Sequence, residues 1–214
     1  MTGLYLVTDE ALCLGRSVEE VAVAAVRGGA SMVQLREKEL PTRRFVERAK
    51  RIFELLAPYR VPLIINDRVD VALASGAHGV HLGQGDMPFS EARRILGHGA
   101  IIGLSVETMA QVEEANRLDA AYLGISPVFR TPTKTDTGDG WGIEGISAIR
   151  RSTRHCLAAI GGLNADNAKA VIDSGADMIA VVAAVCSADD PEAAARGLVA
   201  VIREALAARA RRLA

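Results

Sequence analysis

A short apolar run preceded by small residues recurs along the whole chain. It appears as GGASMVQL from Gly28, SGAHGVHL from Ser75, LDAAYLGI from Leu118 and SGADMIAV from Ser174. Helix-like stretches separate these runs. Repetition of this kind restricts the chain to folds that use one unit many times. The small residues suit tight turns from a helix end into a strand. Eight strands are placed on this pattern: Leu4–Thr8, Met32–Glu37, Pro62–Asn66, Gly79–Leu82, Ile101–Ser105, Ala121–Ile125, Cys156–Ile160 and Met178–Val182. Each is short and largely apolar, as a strand covered on both faces must be.

The segments between them carry helix punctuation. SVEEVAVAAVRGG opens on Ser17, has Glu20 three residues later and closes on Gly28, a capping box with a terminal glycine. PTRRFVERAKRIFELLA starts on Pro41, a favoured helix-starting residue, and its apolar positions share one face. TMAQVEEANRL, NADNAKAVIDSG and PEAAARGLVAVIREALAARARR serve the later units. Eight strands alternating with helices in 214 residues predict a single (β/α)8 TIM barrel over residues 1–214. An open doubly wound sheet is the structural rival, because alternation serves both. No GxGxxG follows the first strand, which weakens the dinucleotide-binding form of that rival.

Composition narrows the function. Lys+Arg is 25 and Asp+Glu is 26, a balance that does not suggest a generally basic nucleic-acid binder. Aromatic residues are 4%, too few for a base-stacking platform. The longest strongly apolar run, Met178 to Cys186, is far short of the roughly 20 residues a membrane span needs. Asp9 and Glu10 come too early for a secretory apolar region. Cys13, Cys156 and Cys186 are far apart and form no CxxC. They read as reduced, buried thiols of a cytoplasmic protein.

The polar residues fall at the ends of the strands, where barrels build their sites. Strand one ends in Thr8 and Asp9, strand three in Asn66 and Asp67, strand four leads to Gln84 and Asp86, and strand five ends at Ser105. Strand two carries Gln34, Arg36 and Lys38, and side chains two apart on a strand point the same way. Arg36, Lys38 and Lys134 are cations from separate segments, while Asp67 and Asp86 are carboxylates on neighbouring strand ends. Such a set suits a polyphosphate with Mg²⁺, which takes one or two carboxylates plus phosphate oxygens and water. Arginine forks onto phosphate and lysine acts as a point charge. The plain alternative is that Arg36 and Lys38 form structural salt bridges with Asp67 and Asp86. Charges gathered on one rim favour a site.

A second phosphate site is expected where Gly161 and Gly162 precede a helix and VVAAV ends strand eight. Small residues there let an anion approach backbone N–H groups, although a Gly-Gly turn looks the same. The stretch from Phe129 to Gly142 reads as a lid, with Thr131 and Thr133 offering hydroxyls and Lys134 a charge. Trp141 is expected to pack that lid. His81 lies within strand four, and His78, His98 and His155 lie near element ends. None has metal-binding spacing, so no histidine metal cluster is expected.

YLVTD, VQLREK, INDRVDVA, GVHLGQGD, GLS, YLGISPVFRTPTKTDT, WGIEGI and AIGG occur in this order from Tyr5 to about Val185. Together they resemble the thiamine-phosphate synthase family. The resemblance implies a (β/α)8 fold, a Mg²⁺ requirement and two substrates: a pyrimidine diphosphate and a thiazole phosphate. It implies a dissociative reaction, in which diphosphate leaves first and the thiazole nitrogen attacks a pyrimidine-methyl cation. Carried over, the pyrimidine diphosphate falls to Gln34, Leu35, Arg36, Glu37, Lys38, Asn66, Ser105 and Lys134. Arg36, Lys38, Ser105 and Lys134 are the implied catalytic groups, and Asp67 and Asp86 the metal ligands. Thr131, Pro132, Thr133, Gly162, Val182 and Ala183 match the thiazole-phosphate site. The family often has serine where Ala183 stands; backbone N–H groups can still serve the phosphate there, and the expected loss is at worst one hydrogen bond, ~1 kcal/mol. A related thiazole tautomerase would carry a histidine in the segment GISPVF, which has none here. A non-catalytic barrel that binds phosphorylated metabolites would not need the carboxylate pair. No residue pattern sets the oligomeric state, and a homodimer is only an expectation.

Overall fold

The computed structural model of the chain describes residues 1–130 and 140–213. Eight strands form: β1 (Gly3–Val7), β2 (Met32–Leu35), β3 (Leu63–Asn66), β4 (Gly79–Leu82), β5 (Ile101–Val106), β6 (Tyr122–Ile125), β7 (Cys156–Ile160) and β8 (Met178–Val181). They pair in chain order, all parallel, and β8 closes on β1 through Gly3 opposite Met178 to Leu6 opposite Val181. This closure decides for the TIM barrel over the open sheet. The helices are α1 (Val18–Arg27), α2 (Thr42–Leu56), α3 (Val69–Ser75), α4 (Phe89–Leu96), α5 (Met109–Ala115), α6 (Gly142–Ser152), α7 (Ala165–Asp173), α8 (Ala183–Cys186) and α9 (Pro191–Leu213).

The caps explain where helices start. Ser17 Oγ accepts the Glu20 N–H at 3.1 Å, and Glu20 Oε2 accepts the Ser17 N–H at 2.8 Å. Thr108 with Gln111 and Asn164 with Asn167 repeat the device at α5 and α7. Several strand ends differ from the sequence pattern by one residue, in β1, β3, β5, β6 and β8. The second strand stops two residues early, at Leu35 and not Glu37, and the run after Val181 turns into α8 instead of extending β8. A run of alanine and valine does not by itself distinguish strand from helix.

Two apolar layers result from the alternation of side chains along each strand. Leu4, Leu6, Val33, Leu35, Leu63, Ile65, Val80, Leu123 and Ile179 face outward and are buried under the helices. Tyr5, Val7, Met32, Ile64, Tyr122, Ala158, Met178 and Ala180 fill the barrel interior. Full burial of each large apolar side chain contributes about 1.5–3 kcal/mol. The register puts Gly103 opposite Tyr122 and Gly124 opposite Ala158. Ala158, Ala180 and Gly124 are small, so the interior between β6 and β8 is left open toward the strand ends.

Of the described residues, no helix is long and apolar enough to cross a membrane. Cys13, Cys156 and Cys186 are free thiols; Cys13 and Cys186 are buried as expected, whereas Cys156, at the start of β7, is only partly buried. Trp141 is half-buried against the outer core at the start of α6.

Candidate active site

A cavity of about 340 Å³ opens at the C-terminal ends of the strands. Its charged wall comes from β2 to β5. Gln34, Arg36, Lys38, Asn66, Asp67, Asp86 and Ser105 all line it. The opposite wall is small and apolar: Gly161, Gly162 and Leu163 after β7, and Val182, Ala183 and Ala184 after β8. Gly162 has φ +66, and a Cβ there would meet the Phe129 Cβ at 3.0 Å. Glycine is needed to let the two loops approach each other.

Alternation sorts the VQLREK stretch. Gln34, Arg36 and Lys38 face the cavity, while Leu35 and Glu37 fall on the other side. Leu35 is fully buried in the outer core. Glu37 points away from the cavity, and its Oε1 lies 2.6 Å from the Arg48 guanidinium on α2. Neither side chain is among those around the cavity. Thr131, Pro132, Thr133 and Lys134 lie outside the described residues.

The cations rest on carboxylates. Arg36 donates to Asp9 Oδ2 at 2.9 Å, and Lys38 Nζ to Asp67 Oδ2 at 2.6 Å. Lys38 and Asp67 therefore do form an ion pair, yet it lies half-open at the cavity edge. Exposed pairs of this kind contribute little stability, about 0–1 kcal/mol. Asp67 has φ +61, a left-handed conformation rare outside glycine that aspartate tolerates better than most. Its N–H donates to the His81 carbonyl at 2.8 Å.

Asp86 sits beside it. Gly83 N–H donates to Asp86 Oδ2 at 2.6 Å. Burial raises the Asp86 carboxyl above its ordinary value, and the nearby Asp67 carboxylate raises it further. The Gly83 N–H and the Lys38 charge act the other way. Two carboxylates held against their own repulsion form a donor set that a cation would relieve. Among the described residues, no group of three or more metal-binding side chains exists. A pair of aspartates fits Mg²⁺, which completes its shell with phosphate oxygens and water, and does not fit a fully protein-coordinated ion.

A buried polar chain crosses the floor of the cavity. Gln34 Nε2 donates to Tyr5 Oη at 2.7 Å, the Tyr5 and Tyr122 hydroxyls are 2.7 Å apart, and Tyr122 Oη is 3.0 Å from His81 Nδ1. His81 Nε2 then meets Ser105 Oγ at 2.9 Å. With Gln34 Nε2 as the first donor, one consistent order runs from Tyr5 to Tyr122, from Tyr122 to His81 Nδ1 and from Nε2 to Ser105, and the reverse order requires the Gln34 amide turned over. The first order gives every buried hydroxyl proton an acceptor. It leaves the Ser105 hydroxyl proton available to a ligand. Burial raises both tyrosine hydroxyls, so both stay protonated.

Tyr5, Tyr122 and His81 were not among the expected site residues. Their signal in the sequence lies in two glycines. A Cβ on Gly103 would come within 2.1 Å of Tyr122 Cζ, and one on Gly124 within 2.9 Å of His81 Cε1. Glycine inside a strand marks a close approach, and here it makes room for two rings.

The fold and cavity define a TIM barrel whose one described opening at the strand ends is bounded by a cationic wall, a carboxylate pair and a glycine-rich wall, a lining suited to anionic ligands. The profile of the thiamine monophosphate synthase family matches residues 4–185. The chain belongs to that family. It is 54% identical over 192 residues to the thiamine-phosphate synthase of Albidiferax ferrireducens, covering 90% of this chain and 88% of the relative. It is 54% identical over 196 residues to the thiamine-phosphate synthase of Leptospira biflexa, covering 90% and 93%. Among solved structures, the thiamine phosphate pyrophosphorylase from Pyrococcus furiosus superposes with a TM-score of 0.88 at 38% identity, over 96% of this chain and 97% of that one.

Proposed function

We propose that the protein joins a pyrimidine diphosphate to a thiazole phosphate, giving thiamine phosphate and diphosphate. One observation carries this reading: two walls suited to anions face each other across one cavity, with an aspartate pair at the charged side. Membership of the thiamine monophosphate synthase family supports this choice of heterocycles. The diphosphate lies against Arg36 and Lys38, with the pyrimidine over Gln34 and Asn66. The thiazole phosphate lies on the side of Gly162, Val182 and Ala183.

The chain supplies positioning and charge rather than a nucleophile. Lys38 leaves Asp67 for a diphosphate oxygen, and Arg36 adds its fork beside it. Both cations then face the oxygen that gains charge as the carbon–oxygen bond breaks, where fixed charge has most effect. Mg²⁺, held by Asp67 and Asp86, would supply further neutralisation of that leaving group. The Ser105 hydroxyl, oriented by His81, donates to the same anion. Thiazole and pyrimidine held in one cavity meet without a bimolecular encounter.

The test is a product assay with both substrates and purified protein. Thiamine phosphate and diphosphate should appear together with Mg²⁺, stop on addition of EDTA, and return with excess Mg²⁺. Folded protein that makes no thiamine phosphate with Mg²⁺ present would sink this reading.

A further inference from the structure

We propose that Arg48 is a positioning residue: by clamping Glu37 it fixes Arg36 and Lys38 toward the cavity. The inference rests on the reading of Arg36 and Lys38 as the diphosphate wall. The strand ladder cannot do this work, because β2 ends at Leu35. The orientation of the next three residues must come from contacts of their own. Arg36 N–H donates to Thr8 Oγ1 at 3.1 Å, which holds its backbone. Glu37 sets the alternation: its side chain is only 5% exposed and lies 2.6 Å from Arg48.

The same guanidinium reaches the β1 loop. Arg48 holds Glu10 with two bonds, at 2.9 and 3.0 Å, and Glu19 lies 3.9 Å away. Glu10 follows Asp9, which pairs with Arg36. The dipeptides Asp9-Glu10 and Arg36-Glu37 are thus tied twice, once directly and once through Arg48. Three carboxylates converge on one guanidinium. Burial raises the Glu37 carboxyl, Arg48 opposes this, and Glu10 and Glu19 add repulsion. Without Arg48, Glu37 would be a buried carboxylate among like charges. It would turn outward to water, and the side chains on either side of it would turn with it. The guanidinium spreads its donors over a fixed plane and holds Glu10 by two bonds while it reaches Glu37; an ammonium is a single compact point of charge and cannot reproduce that reach, so lysine is an incomplete substitute.

The test compares Arg48→Met, Arg48→Lys and Glu37→Gln with the parent. Pyrophosphate with Mg²⁺, titrated by calorimetry, reads the diphosphate wall without turnover. Arg48→Met should weaken it by about tenfold or more, the scale for partners that support ligand-holding groups. Arg48→Lys should lie between Arg48→Met and the parent. In steady state, KM for the pyrimidine diphosphate should rise while KM for the thiazole phosphate stays within about twofold. A purely structural defect would lower the active fraction and leave both KM values unchanged. Parent-like pyrophosphate affinity in Arg48→Met, or KM values that move together, would overturn the proposal. If Arg48→Met fails to fold, the isosteric Glu37→Gln carries the test, with the same direction expected and parent-like affinity again fatal. Should the parent make no thiamine phosphate while pyrophosphate affinity still falls in the variants, the substrate reading fails and the positioning role stands.

Discussion

Asp86 is kept in a place that resists its charge. Its carboxyl is raised above the ordinary 3.8, first by burial and then by Asp67. A raised carboxyl is one whose ionised form the fold disfavours. The resulting loss of stability is fully present above the raised value. It disappears as pH falls through the interval between the raised value and 3.8. Asp86→Asn retains an oxygen for the Gly83 N–H and removes the charge. It should melt at a higher temperature than the parent at pH 7, and the two should converge below about pH 4. Equal melting temperatures at pH 7 would show that the charge carries no penalty. The same variant should lose Mg²⁺-dependent product formation. Greater stability joined to lost activity is the pattern of a residue kept for its chemistry.

Between elements, the buried polar chain ties five strands: Gln34 on β2, Tyr5 on β1, Tyr122 on β6, His81 on β4 and Ser105 on β5. Tyr122 is the link on which both sides depend. Tyr122→Phe removes the hydroxyl that the Tyr5 hydroxyl and His81 Nδ1 both contact. The expected cost is about 1–3 kcal/mol of unfolding free energy, measured by urea denaturation. An unchanged midpoint would mean that water takes over the lost contacts. The chain also marks where sequence stopped being informative. Each strand could be read from its apolar run, and the inward set on β2 from alternation alone, so Gln34, Arg36 and Lys38 fell into place together. The Leu35 and Glu37 side chains followed the same rule to the other side. Tyr5, Tyr122 and His81 are separated by dozens of residues, and their meeting depends on the register of strands across the barrel. Nothing local encodes that register. The end of β2 at Leu35 was equally hidden, because the alternation continues past the ladder, carried by ion pairs.

The whole barrel has no edge. Each strand pairs with two neighbours, and β1 with β8 completes the ring. A unit that leaves opens two strand edges and exposes both apolar layers, so local loosening is penalised everywhere at once. The last helix, α9, packs against α1, α7 and β1, across the seam of closure. Ile202 on α9 is fully buried there. Ile202→Ala should cost about 2–5 kcal/mol, a large part of a typical total of about 5–15 kcal/mol. The chain has one tryptophan, Trp141 at the start of α6, in a different unit. If closure couples the units, Trp141 fluorescence and far-UV circular dichroism should shift to lower denaturant by the same amount in Ile202→Ala. A circular dichroism midpoint that falls while the Trp141 midpoint stays would mean that the seam opens on its own. The barrel would then behave as linked parts, and the site, whose walls come from both sides of the ring, would be lost before the tryptophan reported it.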